Sequence, residues 1–91
     1  MDTVEYNTDE IFNFCDGKYS AGKFSEVNEE IRSLDVEKLD SFQIRSWLVA
    51  TKWAESEHPL TNRPEFYNKC YERLVVLRGK EKADRLVGSL K

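Results

Sequence analysis

The stretch Gly17-Lys18-Tyr19-Ser20-Ala21-Gly22-Lys23 fits Gly-x4-Gly-Lys, the opening of a phosphate-binding loop. That loop needs a Ser or Thr next, to hold Mg²⁺, and a buried strand before it. Phe24 occupies the hydroxyl position, Ser25 comes one place late, and residues 9–16 read as helix. A helical turn accounts for the segment better than nucleotide chemistry does. His58 is the single histidine, and Glu55 and Glu57 beside it sketch a metal site. Zinc wants three or four His or Cys ligands, and neither Cys15 nor Cys70 is near in sequence, so the segment reads as a solvated loop. A nucleophilic thiol needs a His orienter and a positive neighbourhood, whereas both cysteines fall on apolar helix stripes. Glu29 and Glu30 are neighbours on a helix and point about 100° apart, as a solvated pair would. The chain reads as a non-enzyme, with no cofactor and no metal.

The charged residues carry a sharper signal. Residues 1–62 hold 6 Lys and Arg against 13 Asp and Glu, a net −7, while residues 63–91 hold 8 against 4, a net +4. Lys69 and Arg73 stand one turn apart and share a face, and Lys82 and Arg85 follow in the last helix. These four are the candidates for contact with an acidic partner. Phosphates would meet such a face in a salt-sensitive way. The whole chain is nevertheless acidic, at −3, and Glu65, Glu72, Glu81 and Asp84 interleave with the cations. The tyrosines fall at core spacing, so no stacking platform for bases is evident. Nucleic acid is therefore the second choice of partner, after another protein or a second copy of the chain. Glu26, Glu29 and Glu30 form an acidic rim on the second helix. Trp53, of a type enriched at interface hot spots, completes the candidate protein interface.

These residues must be positioned by helices. With 91 residues, 40% hydrophobic and 12% aromatic, the chain has material for one core and one domain. Residues 1–6 are read as a frayed, acidic terminus. No secretory signal is evident and no apolar run approaches a membrane span, which predicts a cytoplasmic protein with no membrane contact. Two cysteines make no disulfide framework, and a reducing compartment suits buried thiols.

Asn7 with Glu10 reads as a capping box, with Tyr6 and Ile11 at the staple positions, opening a helix over residues 8–20. Gly22 supplies the left-handed residue that ends it. A second helix spans about 24–34, with Phe24, Val27, Ile31 and Leu34 inward. Residues 35–38 form a single turn. Asp40 and Gln43 box the third helix, with Leu39 and Ile44 as its staple, and it runs to about Glu55. Its two apolar stripes, Ile44-Trp47-Leu48-Thr51 and Phe42-Val49-Trp53, predict neighbours on both sides and a central place in the fold. Asn62 and Glu65 cap a fourth helix with Pro64 in its first turn, and Gly79 ends or bends it. Ala83, Leu86, Val87 and Leu90 repeat at helical spacing over about 80–90. Thr51 is expected to bond back to its own helix, and Arg63 to pair with a carboxylate at the surface. The expected fold is all-α: a compact bundle of four to five helices built from antiparallel hairpins.

The residues Tyr19 to Val27, continued by Ile31 and Leu34, resemble the turn of a tetratricopeptide-type helical hairpin, with Gly, an aromatic and a small apolar residue at that family's spacing. Residues 40–75 do not repeat the pattern, whereas arrays need about three repeats, so the resemblance implies one hairpin and, through the family, peptide or protein binding. The wider pattern Phe24-x-x-Val27, Leu34-Asp35-Val36-x-x-Leu39, Leu48-x-x-Thr51, Leu60-x-x-Arg63-x-x-Phe66 and Arg78-Gly79 resembles small helical proteins of phage and bacterial genomes. It implies an origin and no chemistry. The function expected is a small non-catalytic adaptor, inhibitor or assembly accessory.

Overall fold

The computed structural model describes residues 8–91. The expected box at Asn7, the staple at Tyr6 and the frayed terminus lie outside the described residues. Among the described residues five α-helices follow one another: α1 (Thr8–Ser20), α2 (Phe24–Ser33), α3 (Ser41–Glu55), α4 (Arg63–Arg78) and α5 (Lys80–Val87). Val36–Lys38 and Gly88–Leu90 form short 3-10 turns, and no strand occurs among the described residues. The all-α bundle of helical hairpins is the fold.

Helix boundaries follow local chemistry. Gly22 sits at φ 73°, and the turn closes with Gly22 N–H donating to Tyr19 C=O at 3.0 Å and Lys23 N–H to Lys18 C=O at 2.8 Å. This is a Schellman end. Residues 17–20 of the phosphate-loop pattern are thus the end of α1, where that motif needs a loop leaving a strand, so the segment is the turn of a helical hairpin. At α3 the box is reciprocal, with Gln43 N–H donating to Asp40 Oδ1 at 2.8 Å and Asp40 N–H to Gln43 Oε1 at 2.9 Å. Leu39 and Ile44, the staple pair, are both buried.

The expected box at Asn62 is not formed; the residue has helical backbone angles and no side-chain cap bond. Its amide Nδ2 donates instead to the Asn28 C=O at 3.0 Å, and its N–H donates to Asn28 Oδ1 at 2.8 Å. A tertiary partner on α2 has taken the capping side chain. Asn28 Nδ2 also donates to Thr61 Oγ1 at 3.0 Å, so α2 holds the α3–α4 loop. From α1, Tyr19 donates its hydroxyl to His58 C=O at 2.8 Å, while Phe24 stacks on the His58 ring at 4.2 Å.

Packing is heaviest between α1 and α3 and between α4 and α5. The C-terminal Tyr19 of α1 meets His58 just beyond α3, and Phe14 meets Trp47 midway at 6.0 Å, so α1 and α3 run in the same direction. Small residues Ala50 and Ala54 are fully or nearly fully buried on α3. The core gathers Ile11, Val27, Ile31, Ile44, Trp47, Leu48, Phe66 and Leu74. Cys15 and Cys70 join it as free thiols, and burial pushes both up to about 12, with Glu30 adding to the rise at Cys15 and Arg63 opposing it at Cys70.

One expectation about α3 is corrected. Its stripe Ile44-Trp47-Leu48-Thr51 is buried, but Phe42 is 74% exposed and Trp53 55% exposed. Among the described residues no further element covers them: α1, α4 and α5 use the other faces of α3, and α2 packs on α1 and α4. Val76 on α4 is also largely exposed, and Leu77 partly so.

Candidate functional site

Val49 and Trp53 follow Phe42 by seven and eleven residues along α3, which at 100° per residue places each within about 20° of Phe42 and the three within an arc of about 40°. Together they make an apolar row about 16 Å long. Arg45 and Lys52 border it. Lys52 is tied down, its Nζ donating to the Lys91 C=O at 3.0 Å.

At the Phe42 end the row runs into a groove of about 310 Å³ between α3 and α5, reaching the end of α4. Its apolar wall is Phe42 and Leu86, and its cations are Arg45, Arg78, Lys82 and Arg85, with no carboxylate in the lining. Gly79 creates this arrangement. Its φ of 89° and ψ of 158° fall in a region open essentially to glycine alone. Gly79 N–H still donates to Val75 C=O at 2.9 Å, and Gly79 C=O already accepts from Ala83 N–H at 3.0 Å, so α5 begins without a loop. The sharp turn aims Lys82, Arg85 and Leu86 back toward the start of α3.

Two of the four cations have partial partners. Arg78 donates to Ser41 Oγ from Nη2 at 3.1 Å, and Arg85 meets Glu81 at 3.2 Å. The Glu81 pair is widely exposed and worth a few tenths of a kcal/mol at most in water, about the usual i,i+4 value. Arg45 and Lys82 make no ion pair among the described residues. Across the same helix, Lys80 and the Tyr71 hydroxyl both engage Asp84. These bonds hold the Asp84 carboxyl below its ordinary value, the Tyr71 bond being the stronger cause, and turn Asp84 of α5 toward Tyr71 on α4 rather than over the groove.

The four cations marked in the sequence therefore divide. Lys82 and Arg85 meet in the groove, joined by Arg45 and Arg78. Lys69 and Arg73 line a separate cleft of about 460 Å³ beside residues 34–37, together with Asp35, Glu37 and Glu72. That cleft is of mixed sign. The acidic rim is likewise engaged: Glu26 binds Lys18 at 2.6 Å, Glu29 binds Arg32 at 3.1 Å, and Glu30 is half-buried. Since α2 packs on α1 and α4 rather than α3, these glutamates stand apart from Trp53.

Arg63 departs furthest from expectation. It is 2% exposed, not a surface pair. Its Nε donates to Thr51 Oγ1 at 2.9 Å, and its Nη2 to the carbonyls of Leu48 and Leu90, both at 2.7 Å. Glu55 stands 3.8 Å away. Burial lowers the Arg63 pKa from its ordinary value, and Glu55 pulls it back up. Thr51 does bond back to its helix, at 2.6 Å to Trp47 C=O, and so turns its oxygen to Arg63. Tyr67 adds a bond to Val87 C=O at 3.0 Å. Side chains of α3 and α4 thereby satisfy carbonyls left over at the end of α5. A cavity of about 350 Å³ adjoins Arg63, but its cation is spent on the fold.

Comparison with protein-family models, curated proteins and solved structures finds no match to this chain. Among the described residues, no three His, Cys, Asp or Glu side chains are grouped to hold a metal ion, and no helix is long and apolar enough to cross a membrane.

Proposed function

We propose that this chain is a non-catalytic protein-interaction module of the cytoplasm, acting as an adaptor, inhibitor or assembly accessory. The observation that carries the reading is the row Phe42-Val49-Trp53 on α3, exposed at its two aromatic ends and half-buried at Val49. A small domain gains nothing in its own stability from two large exposed aromatics on one stripe, and such patches mark contact surfaces. The tetratricopeptide-like turn at α1–α2 points the same way, and the free, buried thiols suit a reducing compartment.

The groove cations support a second reading, association with nucleic acid. Against it stand the separation of Lys69 and Arg73 from the groove and the acidic balance of the whole chain.

A tagged pull-down from the source cell's lysate, with and without nuclease and at low and high salt, tests the choice. A protein retained regardless of nuclease and lost with Phe42→Ala plus Trp53→Ala is the expected result. Retention that disappears with nuclease would replace the first reading by the second.

A further inference from the structure

We infer that the α3–α5 face recognises an acidic amphipathic helix of another protein, its apolar row laid on Phe42, Val49 and Trp53 and its Asp and Glu side chains set over Arg45, Lys82 and Arg85. The inference rests on the interaction reading above and adds the chemistry of the partner. A row about 16 Å long matches three turns of helix, so the partner offers apolar residues near i, i+4, i+7 and i+11. The charge is concentrated at one end, where the groove holds four cations and no carboxylate. Docked carboxylates there would pair at short range in a partly desolvated site, which fixes the register of the helix as well as adding attraction.

Other occupants fit less well. A second copy cannot offer the required helix: its acidic α2 turns Val27 and Ile31 into its own core and has Glu26 and Glu29 already paired. Pairing α3 with α3 brings Arg45 and Lys52 of both copies to one surface, and the one acid of that helix, Glu55, is half-buried beside Arg63. A nucleic acid would meet the repulsion of a chain at −3, Glu81 beside Arg85, and, among the described residues, two exposed large aromatics about 16 Å apart.

The test is selection of random 16-residue peptides displayed on particles against the full chain, followed by titration of the enriched peptides. The expected winners are acidic and apolar at helical period. Their Kd should rise about tenfold or more with Lys82→Glu plus Arg85→Glu and about thirtyfold with Phe42→Ala, as for charged and aromatic interface anchors. Binding to the unaltered chain should also weaken between low and high salt, which reads the charge term without any variant. Winners with an apolar row but no acidic bias, indifferent to salt, would overturn the acidic partner and leave the interaction reading standing. Winners indifferent to Phe42 and Trp53, or no winners, would overturn both. A single-stranded DNA 20-mer displacing the peptides at equal concentration would overturn the inference in favour of nucleic acid.

Discussion

The two ends of α3 differ in how they treat cations. At the C-terminal end Arg63 is enclosed and spends its bonds on Thr51, Leu48 and Leu90, while Lys52 holds the Lys91 carbonyl. At the N-terminal end Arg45 and Lys82 reach solvent over the exposed ring of Phe42. A buried guanidinium is stable only when its protons are met, so the first end is determined by folding alone. Cations in water need no partner, and the second end gains little for the fold from its charges. Charge and exposed aromatic surface coincide there without serving the fold, and the proposed recognition rests on that coincidence.

The largest effect should come from breaking the closed end. Arg63→Met keeps the apolar stem but leaves two carbonyls and the Thr51 oxygen without their donor, at a cost of about 3 kcal/mol. Thermal unfolding should shift down by roughly 15 °C for a chain of this size. A shift under 3 °C would show that the end of α5 is held by other means. Next, Gly79→Ala meets open space at its new Cβ, yet the backbone angle is strained for any side chain. We expect a loss of about 2 kcal/mol in urea unfolding, and weaker partner binding because the aim of α5 depends on that angle.

Alkaline pH probes the interior with no mutation. Cys15 and Cys70 are held at about 12 in the fold, against an ordinary 9.0. Above pH 9 the unfolded chain therefore binds fewer protons than the native one, and stability falls with rising pH until the native thiols also ionise near 12. Below pH 9 this contribution is complete. Tyr19, raised from 10.0 to about 12 chiefly by burial, adds to the same slope. Urea midpoints at pH 8 and 10.5 measure it; equal midpoints would contradict the burial of the thiols. The smallest effect belongs to the open end. Phe42→Ala and Trp53→Ala should leave stability within about 0.5 kcal/mol, as exposed sites do, while removing binding. A large loss of stability from either would make that row part of the core after all.

Features governed by neighbours within one turn were readable in the sequence. The Asp40–Gln43 box, the left-handed Gly22, the Pro64 start of α4, the inward faces of α2 and α5 and the Ile44-Trp47-Leu48-Thr51 stripe of α3 depend on spacing alone. Features settled across the fold were not. Arg63 finds acceptors 12, 15 and 27 residues away, which no local pattern announces. Asn62 looks like a cap until Asn28 claims it. The stripe of Phe42 and Trp53 has the periodicity of a buried face, and periodicity does not say whether a helix exists to cover it. Arg45 became a groove residue only because Gly79 turns α5 toward it; its one local signal was standing three residues from Phe42.

The parallel pairing of α1 with α3 also bears on how the chain is made. Ile11 and Cys15 emerge early, yet the helix that chiefly shelters them ends 35 residues after α1 does. At ordinary translation rates of about 5–20 residues per second, that interval lasts roughly two to seven seconds. For that time α1 has apolar residues and lacks its principal partner. Until α3 follows, α2 alone of its neighbours is at hand, and α1 offers nascent-chain chaperones a window of that length.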